Sequence, residues 1–473
     1  MSTPTTDPRV LAAGTLMPGF SGTTTPAWVA RALAGGLASI ALYGTNLESS
    51  TQLRELCAEL RSLAPDLLLA VDEEGGDVTR LHYLTGSNQP GNALLGRIND
   101  PALTEASAAA IGAELAGYGI NLNLAPDADV NSTPENPVIG VRSFGADPGL
   151  VAAHTSAWIR GIEGAGVASC SKHFPGHGDT ATDSHLALPR LDVDAALLHE
   201  RELAPFRAVV TCNGASIMTS HILVDALDPV NPATFSSAIL GDLLRTSMGF
   251  TGAVITDALD MAGASADTGI PEAAVRALAA GADLLCLGSE TTEETYTHCL
   301  DAIVAAVASD RLPIERLQDA ARRTAVLAGA FPAGSPQSGG TVPTAEVIAT
   351  AFELCDTVSG WIADPAPAAL IQVDSAANMA VGSVPWGPAA TGGGRTEEQL
   401  GGGEKVALIG RNLDADHPLW AVRDRLSRAG HRVLVVECGW PRGNADVVTF
   451  GASLSVSRAL AQLLGSVDVD VAT

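Results

Sequence analysis

Between positions 172 and 185 the chain reads Lys172-His173-Phe174-Pro175-Gly176-His177-Gly178-Asp179-Thr180-Ala181-Thr182-Asp183-Ser184-His185. One ammonium, three imidazoles and two carboxylates follow directly on the apolar run Gly166 to Cys170, which reads as a buried strand. Titratable groups are costly to organise and contribute little to a core, so a cluster at a strand's C-terminal end marks a site. In Asp183-x-His185 the side chains can converge where the loop bends. A carboxylate bonded to imidazole fixes its tautomer and makes the imidazolium a usable proton donor near neutral pH. Isolated, such a pair would more often cap a surface turn; here Lys172, His173 and the hinge Pro175, Gly176 and Gly178 come before it.

Three further segments carry candidate groups. Asp257 follows the apolar stretch Val254-Ile255-Thr256 and could be a nucleophile, a metal ligand or the N-cap of the next helix. Asp260 and Asp267 are expected to cap or to face solvent. Asp72 opens Asp72-Glu73-Glu74-Gly75-Gly76-Asp77-Val78-Thr79-Arg80, whose paired glycines would let the backbone pass close to a ligand, unless the segment is only an acidic surface turn. Arg142 offers a fork suited to hydroxyl or carboxylate groups, or to a structural ion pair. His173, His177, Asp179, Asp183 and His185 are all metal-ligand types. Pro175 and the glycines rule out helical His-x-x-x-His spacing, however, and Lys172 would repel a cation, so no metal or other cofactor is expected.

The elements that must hold these residues recur regularly. Eight short apolar runs read as strands: Ala13 to Met17, Leu37 to Tyr43, Leu67 to Val71, Ile120 to Leu124, Gly166 to Ser171, Ala215 to Thr219, Gly252 to Thr256 and Ala282 to Leu287. Helical patterns such as Thr51 to Leu63, Ala102 to Ala116 and Pro271 to Ala280 lie between many of them. Apolar strands alternating with helices indicate a parallel sheet covered on both faces. The fold class is therefore α/β, with a TIM-type (β/α)8 barrel over residues 1–331 and a doubly wound open sheet as the competing architecture. Asp72, Asp127, Lys172, His173, His221 and Asp257 all fall just after a strand end, where barrels build their sites.

After Phe331 the texture changes. Residues 332–343 are rich in Pro, Gly and Ser and read as a linker. Residues 344–473 read as a small α/β domain: strands at Lys405 to Gly410, His431 to Glu437 and Ala445 to Phe450, helices at Trp420 to Ala429 and Ser453 to Leu464. Its Leu408-Ile409-Gly410-Arg411 turn lacks the GxGxxG pattern of a nucleotide site.

With 46% hydrophobic and 17% charged residues, the 473-residue chain can bury a large core. Its formal net charge of −26 argues against nucleic acid or an anionic membrane as the main partner. The N-terminus has no basic start followed by an apolar core, and no apolar stretch reaches about 18 residues, so neither a secretory signal nor a membrane span is expected. Seven scattered cysteines without CxxC spacing read as reduced thiols in a cytoplasmic protein.

The motifs together resemble family 3 glycoside hydrolases, in their β-N-acetylglucosaminidase branch. The resemblance rests on Lys172 to Thr180 with Asp183-Ser184-His185 downstream, Val71 to Gly76 before Arg80, Val138-Ile139-Gly140-x-Arg142-Ser143-Phe144-Gly145 and Ile255-Thr256-Asp257-Ala258-Leu259-x-Met261, in that family's order. It implies a retaining double displacement on a terminal β-linked N-acetylglucosamine (GlcNAc). Asp257 would be the nucleophile, His185 the general acid/base and Asp183 its orienting partner, while Asp72, Arg80, Arg142, Lys172 and His173 grip the sugar. β-Glucosidase or β-xylosidase activity is the alternative within the family, and a metal-dependent hydrolase the alternative outside it. Neutral imidazole does not repel an anion, so phosphate could replace water as acceptor. The loop Gly176 to Ser184 is expected to move over bound sugar. The resemblance also implies peptidoglycan-fragment recycling, with chitin-derived oligosaccharides as the competing substrate. Glu73 and Asp77 stand where the family usually shows Gln and often Arg, which would alter the far end of the substrate site. The C-terminal domain is read as structural or as a rim for the cleft.

Overall fold

The computed structural model describes residues 6–180, 188–334, 339–374, 380–443, 445–466 and 469. Eight parallel strands form a ring: β1 (Leu16–Met17), β2 (Ser39–Leu42), β3 (Leu68–Val71), β4 (Leu122–Asn123), β5 (Ala168–Phe174), β6 (Ser216–Thr219), β7 (Ala253–Thr256) and β8 (Leu285–Cys286). The ring closes through a parallel bridge between Ile255 and Leu284, the pairing of β8 with β1 and a bond from Ala41 N to Pro18 O at 3.0 Å. Closure removes the open-sheet alternative.

Each strand is apolar on both faces because each face meets packing. Leu68 and Ala70 point into the barrel, with Leu122, Cys170, Met218 and Ile255. Leu69 and Val71 pack outward against the helices. Helices Pro101–Gly117 and Pro148–Gly164 begin on Asp100 and Asp147, whose carboxylates accept the first free N–H groups, with proline at the first position. Register brings the strand ends together. Val71 pairs with Asn123, Asp127 bridges Lys172, and Phe174, Thr219 and Thr256 lie side by side. One barrel mouth thus receives Asp72, Asp127, Lys172, His173 and Asp257. β5 runs on through Phe174, so Lys172 and His173 are its last residues rather than its loop.

The C-terminal part is a second α/β layer around a five-stranded sheet. Its order is β9 (Glu353–Leu354), β13 (Val447–Val448), β12 (Arg432–Glu437), β11 (Lys405–Gly410), β10 (Ala368–Gln372). Only β9 is antiparallel to its neighbour. The sequence reading omits β9, β10 and helix Asp356–Ala363: the apolar run at β10 continues Ala- and Pro-rich sequence and does not stand out from it. Ala93 and Leu94, on helix Asn92–Ile98 beside the barrel, pack into this second core. Of the linker, Gly340 lies against helix Pro101–Gly117 so closely that a Cβ there would stand 1.6 Å from Ala106 O. No helix among the described residues is long and apolar enough to cross a membrane.

Candidate active site

At the C-terminal mouth of the barrel lies a cavity of about 280 Å³, lined among others by Asp72, Arg80, Arg142, Lys172, His173 and Asp257. Six of the eight residues given catalytic or sugar-binding roles from the sequence therefore share one cavity. The other two, Asp183 and His185, lie outside the described residues.

The wall is a ladder of alternating charge. Lys172 Nζ reaches Asp72 Oδ1 at 2.6 Å and Glu74 Oε1 at 2.7 Å. Glu74 in turn accepts from Arg142 Nε at 2.9 Å and Nη2 at 2.7 Å. Burial alone would raise the Glu74 carboxyl, but Arg142 and Lys172 outweigh it and hold the group well below the ordinary range. The same contacts overcome the burial penalty on Lys172 and Arg142 and hold both above their ordinary values. The Asp72 side chain is 19% exposed, against 4% for Lys172 and 5% for Arg142. Asp72 is thus the end of the ladder most open to the cavity. Arg142, expected to grip ligand directly, lines the cavity and gives three of its five N–H donors to Glu74 and to Val138 O. Arg80 lines the cavity and gives Nη2 to Ala380 O at 2.8 Å, a carbonyl from the C-terminal part.

Deeper in, two carboxyls share one pocket and separate in acidity. His173 Nδ1 lies 2.6 Å from Asp129 Oδ2, and its Nε2 faces Arg142 Nη2 at 3.4 Å. That assigns the proton to Nδ1, since Arg142 can only donate. Burial would raise Asp129, but the neighbouring His173 holds it down; Asp127, fully buried beside Asp129, is pushed well above its ordinary range. Asp127, Asp129 and His173 offer atoms within 4.8 Å of one another, the spacing of a cation site. Both Asp129 oxygens are taken by His173 and His177 N, and Arg142 stands 3.6 Å from Asp127 Oδ2, where it would oppose a cation.

Asp257 sits directly after β7, half-buried, with its N–H on Thr219 O at 3.3 Å and its Oδ1 accepting from Ala258 N at 2.8 Å. These contacts aim the carboxylate into the cavity from the wall across from β3. Asp260, expected to cap or to face solvent, also lines the cavity beside Met261.

The loop after β5 is pinned over its first half. His177 N donates to Asp129 Oδ1 at 2.7 Å, and Asn136 Nδ2 donates to His177 O at 2.9 Å. His177 is buried against the cavity, where burial and the neighbouring His173 push it down to about 4. Asp179 is tied to Thr133 and to Arg201, whose Nε holds Glu202 Oε1 at 2.5 Å. Residues 177–179 are thus fastened to the loop after β4 and to the helical segment Leu198–Glu202.

Residues 21–327 match the family description "Glycosyl hydrolase family 3 N terminal domain". The chain belongs to glycosyl hydrolase family 3. This family 3 hydrolase is similar to Beta-hexosaminidase A of Pseudoalteromonas piscicida, 35% identical over 320 residues covering 62% of the chain and 53% of that protein. The chain thus spans about half the length of that relative. It is 38% identical over 278 residues to a Beta-hexosaminidase of Methylococcus capsulatus, covering 58% of the chain and 81% of that protein. A glycoside hydrolase family 3 beta-N-acetylglucosaminidase from Paenibacillus sp. str. FPU-7 superposes with a TM-score of 0.84 at 29% identity, over 98% of this chain and 97% of that one. The likeness therefore includes the C-terminal layer.

Two departures from the family pattern have structural explanations. In the family 3 hydrolase, Glu73 is buried and accepts on Oε2 from Thr79 Oγ1, Arg80 N and Leu81 N at 2.8–2.9 Å, bracing its own loop. Asp77 accepts from Ala452 N at 2.9 Å and stands 3.7 Å from Arg411, joining barrel to C-terminal part. Neither lines the main cavity, and Asp77 lines an adjoining one. The paired glycines also serve packing rather than a ligand: Gly76 has φ +63°, and a Cβ on it would stand 2.6 Å from Gly91 Cα. The sequence reading missed Glu74 and Asp129 as organisers of the site. The carboxyl pair Asp127-x-Asp129 after β4 was the available signal for the second; the first was hidden among neighbouring acids.

Proposed function

We propose that the protein is a retaining, exo-acting β-N-acetylglucosaminidase that forms a covalent glycosyl–Asp257 intermediate. The observation that carries this reading is Asp257 in one small cavity with the Asp72–Lys172 pair. At about 280 Å³ the cavity lies at the small end of ligand pockets, about 300–1,000 Å³, room for one sugar ring rather than a chain. The relatives' names support GlcNAc as that sugar.

In this reading Asp72, oriented by Lys172, and Arg80 bind ring hydroxyls and the acetamido end, with Arg142 and His173 supporting the wall behind them. Asp257 attacks the anomeric carbon while His185, held by Asp183, protonates the leaving oxygen; neutral His185 then takes a proton from the acceptor. Water is the acceptor proposed first. Phosphate is the variant that a neutral imidazole permits. The catalytic barrel is assigned to residues 1–331, the linker to 332–343 and the second domain to 344–473. Seven thiols, five of them buried, support a reducing compartment, hence a cytoplasmic enzyme acting on fragments of peptidoglycan.

The test is release of p-nitrophenol from the β-N-acetylglucosaminide and the β-glucoside, with and without phosphate. The acetamido sugar is expected to be strongly preferred, and Asp257→Ala to lower its turnover at least about 10³-fold. Sugar 1-phosphate formed only with phosphate would make phosphate the acceptor. A wild-type protein that is folded but releases neither product would overturn the assignment.

A further inference from the structure

The loop after β3 carries four acids and one arginine between Asp72 and Arg80. Asp72 and Glu74 face Lys172 and Arg142, Glu73 is taken by donors of its own turn, and Asp77 is taken by Ala452 N and Arg411. No carboxylate of the loop is left for Arg80, although its guanidinium is half-buried and lines the sugar cavity. Two backbone carbonyls hold it instead. Nη1 donates to Thr79 O at 3.3 Å, and Nη2 donates to Ala380 O at 2.8 Å. The shorter bond comes from the C-terminal part, and Ala380 itself lines the cavity.

The segment that supplies this carbonyl, residues 380–383, lies on the barrel as a strap. Ser383 N donates to Tyr83 Oη at 3.3 Å, three residues beyond Arg80. Gly382 has φ +71°, and a Cβ on it would stand 3.1 Å from the same Oη, so glycine is what lets the strap lie this close without strain. Tyr83 is itself seated, because a Cβ on Gly44 would stand 2.6 Å from its ring. Beyond the strap, Pro385 O comes so near Gly86 that a Cβ there would stand 2.6 Å away, and Trp386 is buried with Arg411 over its ring at 4.2 Å. The Ala380 carbonyl therefore has a fixed place at the cavity wall. A long side chain loses rotamer freedom when it grips a ligand, and one already held loses less. With two of its five N–H donors on carbonyls, Arg80 keeps the others for ligand oxygens.

We propose that residues 380–383 of the C-terminal part are a positioning element for sugar binding: the Ala380 carbonyl holds the Arg80 guanidinium ready for the sugar, and Tyr83 holds the strap. The inference deepens the reading of the cavity as a GlcNAc site gripped by Asp72 and Arg80, and rests on it. The C-terminal part then contributes to affinity for the sugar through one barrel residue, without supplying a group to the chemistry.

The experiment measures kcat and KM for p-nitrophenyl β-N-acetylglucosaminide across a double-mutant cycle on the full chain: Tyr83→Phe and Gly382→Ala, each alone and combined with Arg80→Ala. Alone, each strap variant is expected to raise KM about five- to tenfold and to leave kcat within about twofold, because the contact it loosens is made both before and during bond cleavage. In the Arg80→Ala protein, whose KM is already raised, the same variants should change nothing further. Should Gly382→Ala fail to fold, Tyr83→Phe, which adds no atoms, carries the cycle by itself. A wild-type KM in a folded strap variant overturns the proposal, as does an equal rise in KM with and without Arg80, which a merely structural role would give. If wild type turns over no GlcNAc glycoside, the enzyme reading has failed, and the cycle is run on calorimetric binding of GlcNAc. The same dependence on Arg80 in Kd then supports the strap's role; additive effects, or no binding of GlcNAc, overturn it.

Discussion

Glu73 and Glu74 are adjacent, both buried and both acidic, yet the structure predicts opposite consequences for the same substitution. Glu74 bridges two buried cations through contacts of 2.9, 2.7 and 2.7 Å. Glu74→Gln leaves Arg142 and Lys172 facing a neutral amide, with Asp72 beside Lys172 and the Asp127–Asp129 pair near Arg142 as the remaining carboxyls. Removing one partner of a buried ion pair costs about 3–5 kcal/mol, a large share of the roughly 5–15 kcal/mol available to a domain. Glu73 is held by three donors that a glutamine carbonyl can accept equally well, and burial pushes its carboxyl up rather than down. Glu73→Gln should change stability by no more than about 1 kcal/mol. The pH dependence separates them further. Glu74, depressed in the folded state, contributes stability that is present above its unfolded value near about 4.3 and lost as pH falls through the folded one. Glu73, raised, contributes in the opposite sense, and its contribution is lost as pH rises. Urea unfolding midpoints for wild type and both variants at pH 7, pH 5 and about pH 3 measure this, the Glu74 difference shrinking only between the last two. A Glu74→Gln protein as stable as wild type, or a Glu73→Gln protein as damaged as Glu74→Gln, would refute the charge-ladder reasoning.

Two further outcomes follow from packing and titration. Burial raises Glu202 to about 7 against the pull of Arg201, so the folded protein keeps a proton that the unfolded chain releases from about pH 4.5 upward. Stability should fall by up to about 3 kcal/mol as pH rises through that window and level off above it; Glu202→Gln should flatten the profile, and an unchanged slope would show that another group sets it. Gly340→Ala drives a Cβ to 1.6 Å from Ala106 O, so the linker must lift from helix Pro101–Gly117. A loss of about 1–3 kcal/mol is expected in thermal unfolding, and an unchanged midpoint would contradict that seating of the linker.

The barrel was legible because its strands are buried on both faces and so leave continuous apolar runs that helical patterns separate. The candidate residues were legible because a polar group straight after such a run has few structural reasons to be there. What the sequence hid was pairing. Lys172 and Asp72 are 100 positions apart, and Arg142 and Glu74 are 68 apart. Nothing local distinguishes Glu74, which holds two cations, from Glu73, which braces a turn. The same holds for Asp77, which joins the two parts of the molecule through Ala452 and Arg411, 375 positions away in the case of Ala452. β10 escaped notice because Ala368 to Gln372 continue an alanine- and proline-rich stretch and do not stand out from it.

The central claim is that Asp257 becomes covalently bound to the sugar. Its most direct test is the mass of the intact protein after brief reaction with an activated, fluorinated GlcNAc donor that slows the second step, followed by peptide mapping. The account predicts a single added glycosyl mass, located on the peptide containing Asp257 and absent from Asp257→Ala. Adduct-free protein that still turns the donor over, or an adduct on any other side chain, would contradict it.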